Sequence, residues 1–213
     1  QLGHGGIAQQ HVHSLSPFPC LVPKFNLRKS GPMASLGPMV TDRHLRRQEI
    51  DLVWSIDRTE VIDSVYHLRT GELVLEPERY DMRGWPPGEA ETYTPLLEDC
   101  FDRGGWFHGL FDGDVLLGVA VLDSRRLGPT GDMLQLKFLH VSHDHRGQGL
   151  GRQLFDLAST EARSRGAARL YVSATPSQST IDFYRRLGCT PTADVDDELY
   201  ALEPEDIHLE CAL

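Results

Sequence analysis

The sequence lacks the features that would place it in several large function classes. No apolar run approaches the ~20 residues that a membrane-spanning helix needs, so no spanning segment is expected. The four cysteines, Cys20, Cys100, Cys189 and Cys211, are far apart, with no C-x-x-C and no paired Cys/His spacing of the kind zinc sites use. With no secretory signature beside them, so sparse a set reads as the reduced thiols of an intracellular, cytoplasmic protein. Basic residues are also in deficit, with 21 Lys and Arg against 31 Asp and Glu and a net charge of −10. That is the wrong sign for nucleic acid or an anionic membrane, because phosphate binding depends on clustered cations; an acidic surface attracts cationic ligands instead.

What is present has the composition of a soluble globular chain: 213 residues, 40% hydrophobic and 24% charged, enough for one ordinary domain and an appendage. Residues 1–38 are the appendage, a Pro/Gly/Ser-rich tail with no acidic residue. The chain opens on Gln1, and Met33 and Met39 are both compatible with a natural start. This leaves open a vector-derived origin for part of the tail, or else a native arm that docks on a neighbour, such as a second copy in a homodimer. Three of the 21 basic residues (Lys24, Arg28, Lys29) and none of the 31 acidic ones fall in the tail. Residues 39–213, read as the functional domain, therefore carry 18 against 31, a balance of −13.

Along that domain the apolar patterning predicts a strand over 49–56, a helix over 58–68 and a short strand over 72–75. A loop with Trp85, Pro86 and Pro87 and a helix over 89–101 come next. Two strands, 106–111 and 115–123, are joined by Asp112-Gly113-Asp114, whose Asp-Gly step is a hairpin signal. A strongly apolar strand covers 133–141. A helix then places Leu150, Leu154, Leu157, Ala158 and Ala162 on one face and stops at Gly166 after a cationic last turn. A strand over 169–174, a helix opening at Pro176-Ser177 and ending at Gly188, and short strands around 198–202 and 207–211 complete an α/β pattern.

Between the strand at 133–141 and the following helix lies Arg146-Gly147-Gln148-Gly149-Leu150-Gly151. A strand, a glycine-rich turn and a helix start present backbone N–H groups at the positive end of a helix dipole, and such a turn binds phosphate. Arg146 and Arg152 would add charge there. The spacing is G-x-G-x-G rather than the G-x-G-x-x-G of dinucleotide folds, and no G-K-[ST] follows, so neither a Rossmann fingerprint nor a Walker loop is present.

These residues resemble the cofactor motif of the GNAT superfamily of acetyl-CoA-dependent N-acetyltransferases, which reads Arg/Gln-x-x-Gly-x-Gly/Ala after a strand. A second element agrees: Phe183-Tyr184-Arg185-Arg186-Leu187-Gly188 is similar to the family's Phe-Tyr-x-x-x-Gly. The resemblance implies a mixed, strongly bent sheet flanked by helices, with the strand ending at Val141 splayed from the strand 169–174 to leave a cleft for acetyl-CoA. It further implies that pantetheine amides pair with backbone near Leu139 and Val141, and that pyrophosphate sits on the N–H groups of Arg146, Gly147, Gln148, Gly149, Leu150 and Gly151. Tyr184 would face the sulfur. Ser177 stands where many relatives carry Asn, and Cys189 where an aromatic often follows the glycine.

Acetyl transfer needs a neutral amine, and with a pKa near ~10.4 only about one alkylamine in a thousand is neutral at pH 7. A base is therefore expected, together with a proton donor for the departing thiolate, a role that suits Tyr184. In several relatives the base lies on the strand before the phosphate turn. The matching positions, Lys137 and Gln135, are poor bases, which points to a water relay to a carboxylate or His, and His140 should face the other side of the strand. No metal is expected, although His140, His143 and His145 lie close in sequence. No local Cys–His pair suggests an acyl-enzyme, so direct transfer in a ternary complex is expected. Where relatives build an acceptor site this chain is acidic, with Glu72, Glu76, Glu78 and Asp81 early and Asp194, Asp196, Asp197 and Glu198 late as candidates, and Trp85 offering a cation–π face. The expected acceptor is a small polycationic amine, an aminoglycoside-like antibiotic first and polyamines next. A protein or peptide acetyltransferase, or an inactive acyl-CoA-binding regulatory module, are the alternatives.

Overall fold

The structure, a computed structural model, describes residues 40–213, so the tail reading falls outside the described residues. Its frame is set by three long apolar strands. Strand β4 (Trp106–Asp112) turns at Gly113, whose φ of +57° suits the Asp-Gly step, into β5 (Val115–Leu127), which pairs antiparallel with β6 (Met133–Val141). These strands are buried on both faces, which is why they read as near-continuous apolar runs. Strand β1 (Thr41–His44) extends the sheet at the β4 edge. On the other side stand β7 (Arg169–Ala174), then β9 (Ile207–Ala212) and β8 (Thr190–Pro191), giving the order β1-β4-β5-β6-β7-β9-β8.

Helix α1 (Glu89–Asp102) covers one face together with a 3-10 segment, Arg47–Ser55. Helices α2 (Leu150–Ser164) and α3 (Gln178–Arg186) belong to the cluster on the opposite face. Leu154, Ala158, Ala162, Ile181 and Tyr184 pack there with Leu134, Leu136 and Leu170. The α2 stripe and its stop at Gly166, with φ +77°, are as the spacing predicts.

Four local expectations are corrected. The stretch 49–56 is 3-10 helix rather than strand, because Ile50, Val53 and Ile56, three apart, all point into the α1-side core. The stretch 58–68 is not a helix but strand β2 (Glu60–Arg69), in a separate hairpin with β3 (Glu72–Met82), which runs well past the predicted 72–75. Val61, Ile62, Val65 and Leu68 mimic helical spacing, yet only Val65 and Tyr66 are buried. Tyr66 N–H donates to Pro176 C=O (2.7 Å), which lays the hairpin across the entrance to α3. Residues 197–202 form a short helix α4 (Asp197–Leu202), capped by the Asp196 carboxylate on the Leu199 N–H, not a strand. Finally, Cys189 and Cys211 are joined in a disulfide, which corrects the reading of reduced thiols. Far apart in sequence, they meet because the chain leaving α3 returns beside the last strand.

That disulfide ties the residue after Gly188 to β9 across 22 residues. Closing such a loop restricts the unfolded chain by about 3 kcal/mol. The double variant Cys189→Ala, Cys211→Ala is expected to lose stability of that order in urea titration, and the wild type to lose as much with dithiothreitol. A midpoint indifferent to reductant would contradict the bridge.

Candidate active site

Strands β6 and β7 run parallel and are bonded only through Met133–Gln135 and Arg169–Tyr171; beyond that they part. A bulge helps to turn β6 away. Phe138 pairs with Val121 and Leu136 with Leu122, leaving Lys137 as the extra residue. Ser142 N–H donates to Leu117 C=O (2.9 Å), so by the two-residue alternation the N–H groups of Leu139 and Val141 point away from β5, into the gap. The gap opens into a cleft of about 890 Å³ lined by both parted strands, the 146–152 turn, α3 and the β2–β3 hairpin.

Gly147, Gly149, Gly151, Arg146 and Arg152 line the cleft, whereas Leu150 is turned into the core and Gln148 bonds the Asp144 carbonyl (3.2 Å). Gly147 and Gly149 have φ of +74° and +87°, and a Cβ on either would stand in open space. The turn thus exposes bare backbone ahead of α2, whose first N–H groups have no intrahelical acceptor. The side chain of Arg146 is engaged elsewhere. Its Nε donates to Val141 C=O (3.0 Å), and its guanidinium reaches Thr59 C=O and the Glu60 carboxylate (3.2 Å), clamping the end of β6 to the start of β2. Arg152 is exposed and pairs with Asp156 one turn on (3.0 Å).

Ser177 is nearly fully buried, and its hydroxyl caps α3 by accepting from the Thr180 N–H (3.3 Å). Tyr184, 5% exposed, lines the cleft from α3. Among the described residues its hydroxyl has no hydrogen-bond partner. Burial, with the charge of Asp206, pushes its phenol well above the ordinary range, so it keeps its proton.

Of the expected acceptor residues Glu78 lines the cleft, whereas Asp81, Glu198 and Trp85 do not. Asp81 is exposed and held by Arg83 (2.8 Å), and Glu198 lies on α4 against Arg125. Trp85 stacks on Phe138 beneath the cleft floor. Its Nε1–H donates to Ile56 C=O (2.8 Å), and the guanidinium of Arg58, 4.5 Å from the ring, occupies its cation–π face. Of the two expected base positions, Lys137 faces the buried Asp123 carboxylate (3.7 Å) and Gln135 is buried. The bulge upsets the alternation on which that expectation rests.

His140 does line the cleft, wedged against Trp85 and Phe138; burial beside Arg58 and Arg146 pushes it down to about 3, which makes it a very weak base. His143 instead bonds Thr59 C=O (2.7 Å). Ligand atoms of His67, Glu76 and Glu78 on the hairpin do lie within 4.8 Å of one another, but Arg69 and Tyr80 already hold the two carboxylates.

Apart from Glu78, sequence reasoning missed the acids that reach the acceptor side of the cleft. Glu203, Glu205 and Asp206 come from the segment between α4 and β9, and Glu89 and Tyr93 from α1. Tyr93 Oη donates to Glu203 (2.6 Å), Arg58 pairs with Glu89 (2.9 Å), and Ser173 Oγ donates to Asp206 Oδ2 (3.0 Å). Burial, reinforced by Glu203, holds the Asp206 carboxyl well above the ordinary carboxylate range. A Glu-x-Glu-Asp run before a terminal strand was visible in the sequence, but nothing local aims it at a cleft.

The family model described as the acetyltransferase (GNAT) family matches residues 67–189, more than half of the chain. The chain belongs to the acetyltransferase (GNAT) family. Among curated proteins none matches. Among solved structures, nourseothricin acetyltransferase is similar in fold, with 21% identity over 81% of this chain and 98% of that one at a TM-score of 0.60. A Bacillus anthracis protein described as a streptothricin acetyltransferase, in complex with acetyl coenzyme A, gives 14% identity over 82% and 99% at 0.56. The ribosomal-protein-S18-alanine N-acetyltransferase from Escherichia coli gives 18% over 82% and 94% at 0.51.

The protein is thus an N-acetyltransferase that uses acetyl-CoA, and the mixed bent sheet with flanking helices is the family's fold. Its cleft suits that molecule on its own evidence, with open N–H groups on β6, a glycine cradle that a Cβ would fill and an unpartnered buried phenol. Gly149→Asp would put a side chain and a negative charge into the cradle. Calorimetry should show acetyl-CoA affinity falling at least tenfold while the fold, followed by circular dichroism, survives; unchanged affinity would move the phosphates elsewhere.

Proposed function

We propose that the acceptor is a small polycationic amine, acetylated by direct transfer in a ternary complex. The observation that carries this reading is the division of charge in the cleft. The phosphate-turn side presents bare backbone N–H groups and Arg186, with Arg146 and Arg152 already bonded to Glu60 and Asp156, whereas Glu78, Glu89, Glu203, Glu205 and Asp206 come from the hairpin, α1 and the entry to β9, where Arg58 pairs with Glu89. One group of elements suits an anion and the other suits ammonium groups, which low-dielectric walls would concentrate.

Bound acetyl-CoA supplies an activated acetyl thioester. The chain's own part is to orient it on the Leu139 and Val141 amides and the 147–152 turn, and to offer the Tyr184 proton to the departing sulfur. Among the described residues the free cysteine is Cys100, buried away from the cleft with its thiol pushed up to about 12 by burial, which disfavours a covalent acyl-enzyme. Nourseothricin acetyltransferase, similar in fold, acts by its name on an antibiotic, which keeps an aminoglycoside-like acceptor ahead of polyamines. A protein or peptide acceptor would draw on the exposed apolar residues of the hairpin, Val61, Leu68, Val74 and Leu75.

The test is thiol release across a panel of polyamines, aminoglycosides, neutral and anionic amines and N-terminal peptides. A polycation should be the best acceptor, and its KM should rise as salt goes from low to ~0.15 M, where exposed charges are screened over ~8 Å. A preference for neutral or anionic acceptors, or for peptides, would overturn the assignment. Within the same reading Tyr184→Phe should lower kcat by ~10²-fold with little change in acetyl-CoA affinity. An untouched kcat would make Tyr184 a packing residue.

A further inference from the structure

Tyr184 on α3 and Asp206, the residue before β9, both line the cleft, and the Cys189–Cys211 disulfide joins the loop after α3 to β9. Ser173 Oγ donates to Asp206 Oδ2 (3.0 Å), and the Asp206 carboxyl lines the cleft against Glu203. Glu203 stands beside Asp206 and is itself fixed by Tyr93. What points to a ligand is the Tyr184 side chain, more than nine-tenths buried, lining the same cleft, and with no hydrogen-bond partner for its hydroxyl among the described residues.

We propose that Asp206 is the proton acceptor of the reaction, its carboxylate taking one proton from the substrate ammonium, with Glu203 as the positioning residue that draws the ammonium to it. This rests on the cationic-acceptor reading. The overall reaction forms one C–N bond, breaks one C–S bond and releases one proton. The proton taken by Asp206 leaves to solvent through the cleft mouth. The second nitrogen proton, shed as the amide forms, replaces the one Tyr184 gives to sulfur, so Tyr184 ends each turnover as it began.

The charged and titratable groups around Asp206 agree with this. Glu203 and burial favour its protonated form, while Arg58, from the loop before β2, and the Ser173 hydroxyl oppose that. Tyr93 on α1 and Tyr184 on α3 are both pushed up and stay neutral. A base raised toward the working pH is the effective kind. Because its pKa lies above that of the unfolded chain, Asp206 also costs stability, and that cost grows as pH rises from the ordinary carboxylate range through the raised value.

Asp206→Asn keeps an oxygen for Ser173 and removes the base. With a strongly basic alkylamine, kcat/KM at pH 7 should fall by ~10²-fold. With a weakly basic alkoxyamine, already neutral at that pH, it should fall much less, while acetyl-CoA affinity holds. The variant's Tm should exceed wild type at pH 8 and match it at pH 4. Glu203→Gln should move the acidic limb of the kcat/KM profile to lower pH. Equal losses with both amines, or an unmoved limb, would overturn Asp206 as the acceptor while leaving the cationic substrate in place. A wild type that prefers anionic amines would instead overturn the substrate reading, and this inference with it.

Discussion

Everything that makes this chain more than a packed sheet depends on two adjacent parallel strands that stop pairing. Backbone N–H and C=O groups inside a protein are almost always bonded, so a sheet that opens between β6 and β7 must either bury orphans or reserve them for something. Here the opening is built rather than tolerated. The bulge at Lys137 bends β6, β9 takes the other edge of β7, and α2 and α3 pack with Leu154, Ile181 and Tyr184 against the shared core. Arg146 completes the arrangement by capping Val141 C=O and drawing β2 over the mouth. A residue whose type suggests a phosphate ligand thus acts through the backbone it secures.

Charge then does what shape alone would not. The domain is strongly acidic, yet its arginines are mostly engaged with local partners: Arg169 with Asp132 and Glu210, Arg103 with Asp123, Arg47 with Asp102. The exposed Arg47–Asp102 pair adds little stability, whereas pairing at the buried Asp123 offsets the cost of desolvating its carboxylate. Within the cleft Arg58 engages Glu89, whereas Glu203, Glu205 and Asp206 have no ion-pair partner among the described residues, which keeps that end of the cleft acidic.

The phosphate turn, α2, α3 and the β4–β5 hairpin were legible because each carries punctuation that backbone geometry demands: Asp112-Gly113, Gly149 before α2, Ser177 at the cap of α3, Gly166 and Gly188 after helix ends. The first third was not. Val61, Ile62, Val65 and Leu68 satisfy a helical period by chance, and their β-branched content was the better guide. Ile50, Val53 and Ile56 recur every three residues, a period close to both candidate patterns. The acceptor side of the site was illegible for a different reason. Asp206 owes its chemistry to Ser173 on β7, Glu203 before β9 and Tyr184 on α3, a coincidence of elements that no local pattern encodes, while Asp81 and Glu198 have the right charge on the wrong faces. The disulfide was hidden likewise, since a 22-residue separation becomes a contact only once α3 packs beside β9.

Amide hydrogen exchange reads directly whether acetyl-CoA sits between the parted strands. On adding acetyl-CoA, the amides of Leu139 and Val141 and those at 147–152 should slow together, with the paired stretch Met133–Gln135 unchanged. Exchange at these amides that is indifferent to acetyl-CoA, with protection appearing instead on the outer face of the β2–β3 hairpin, would contradict that placement.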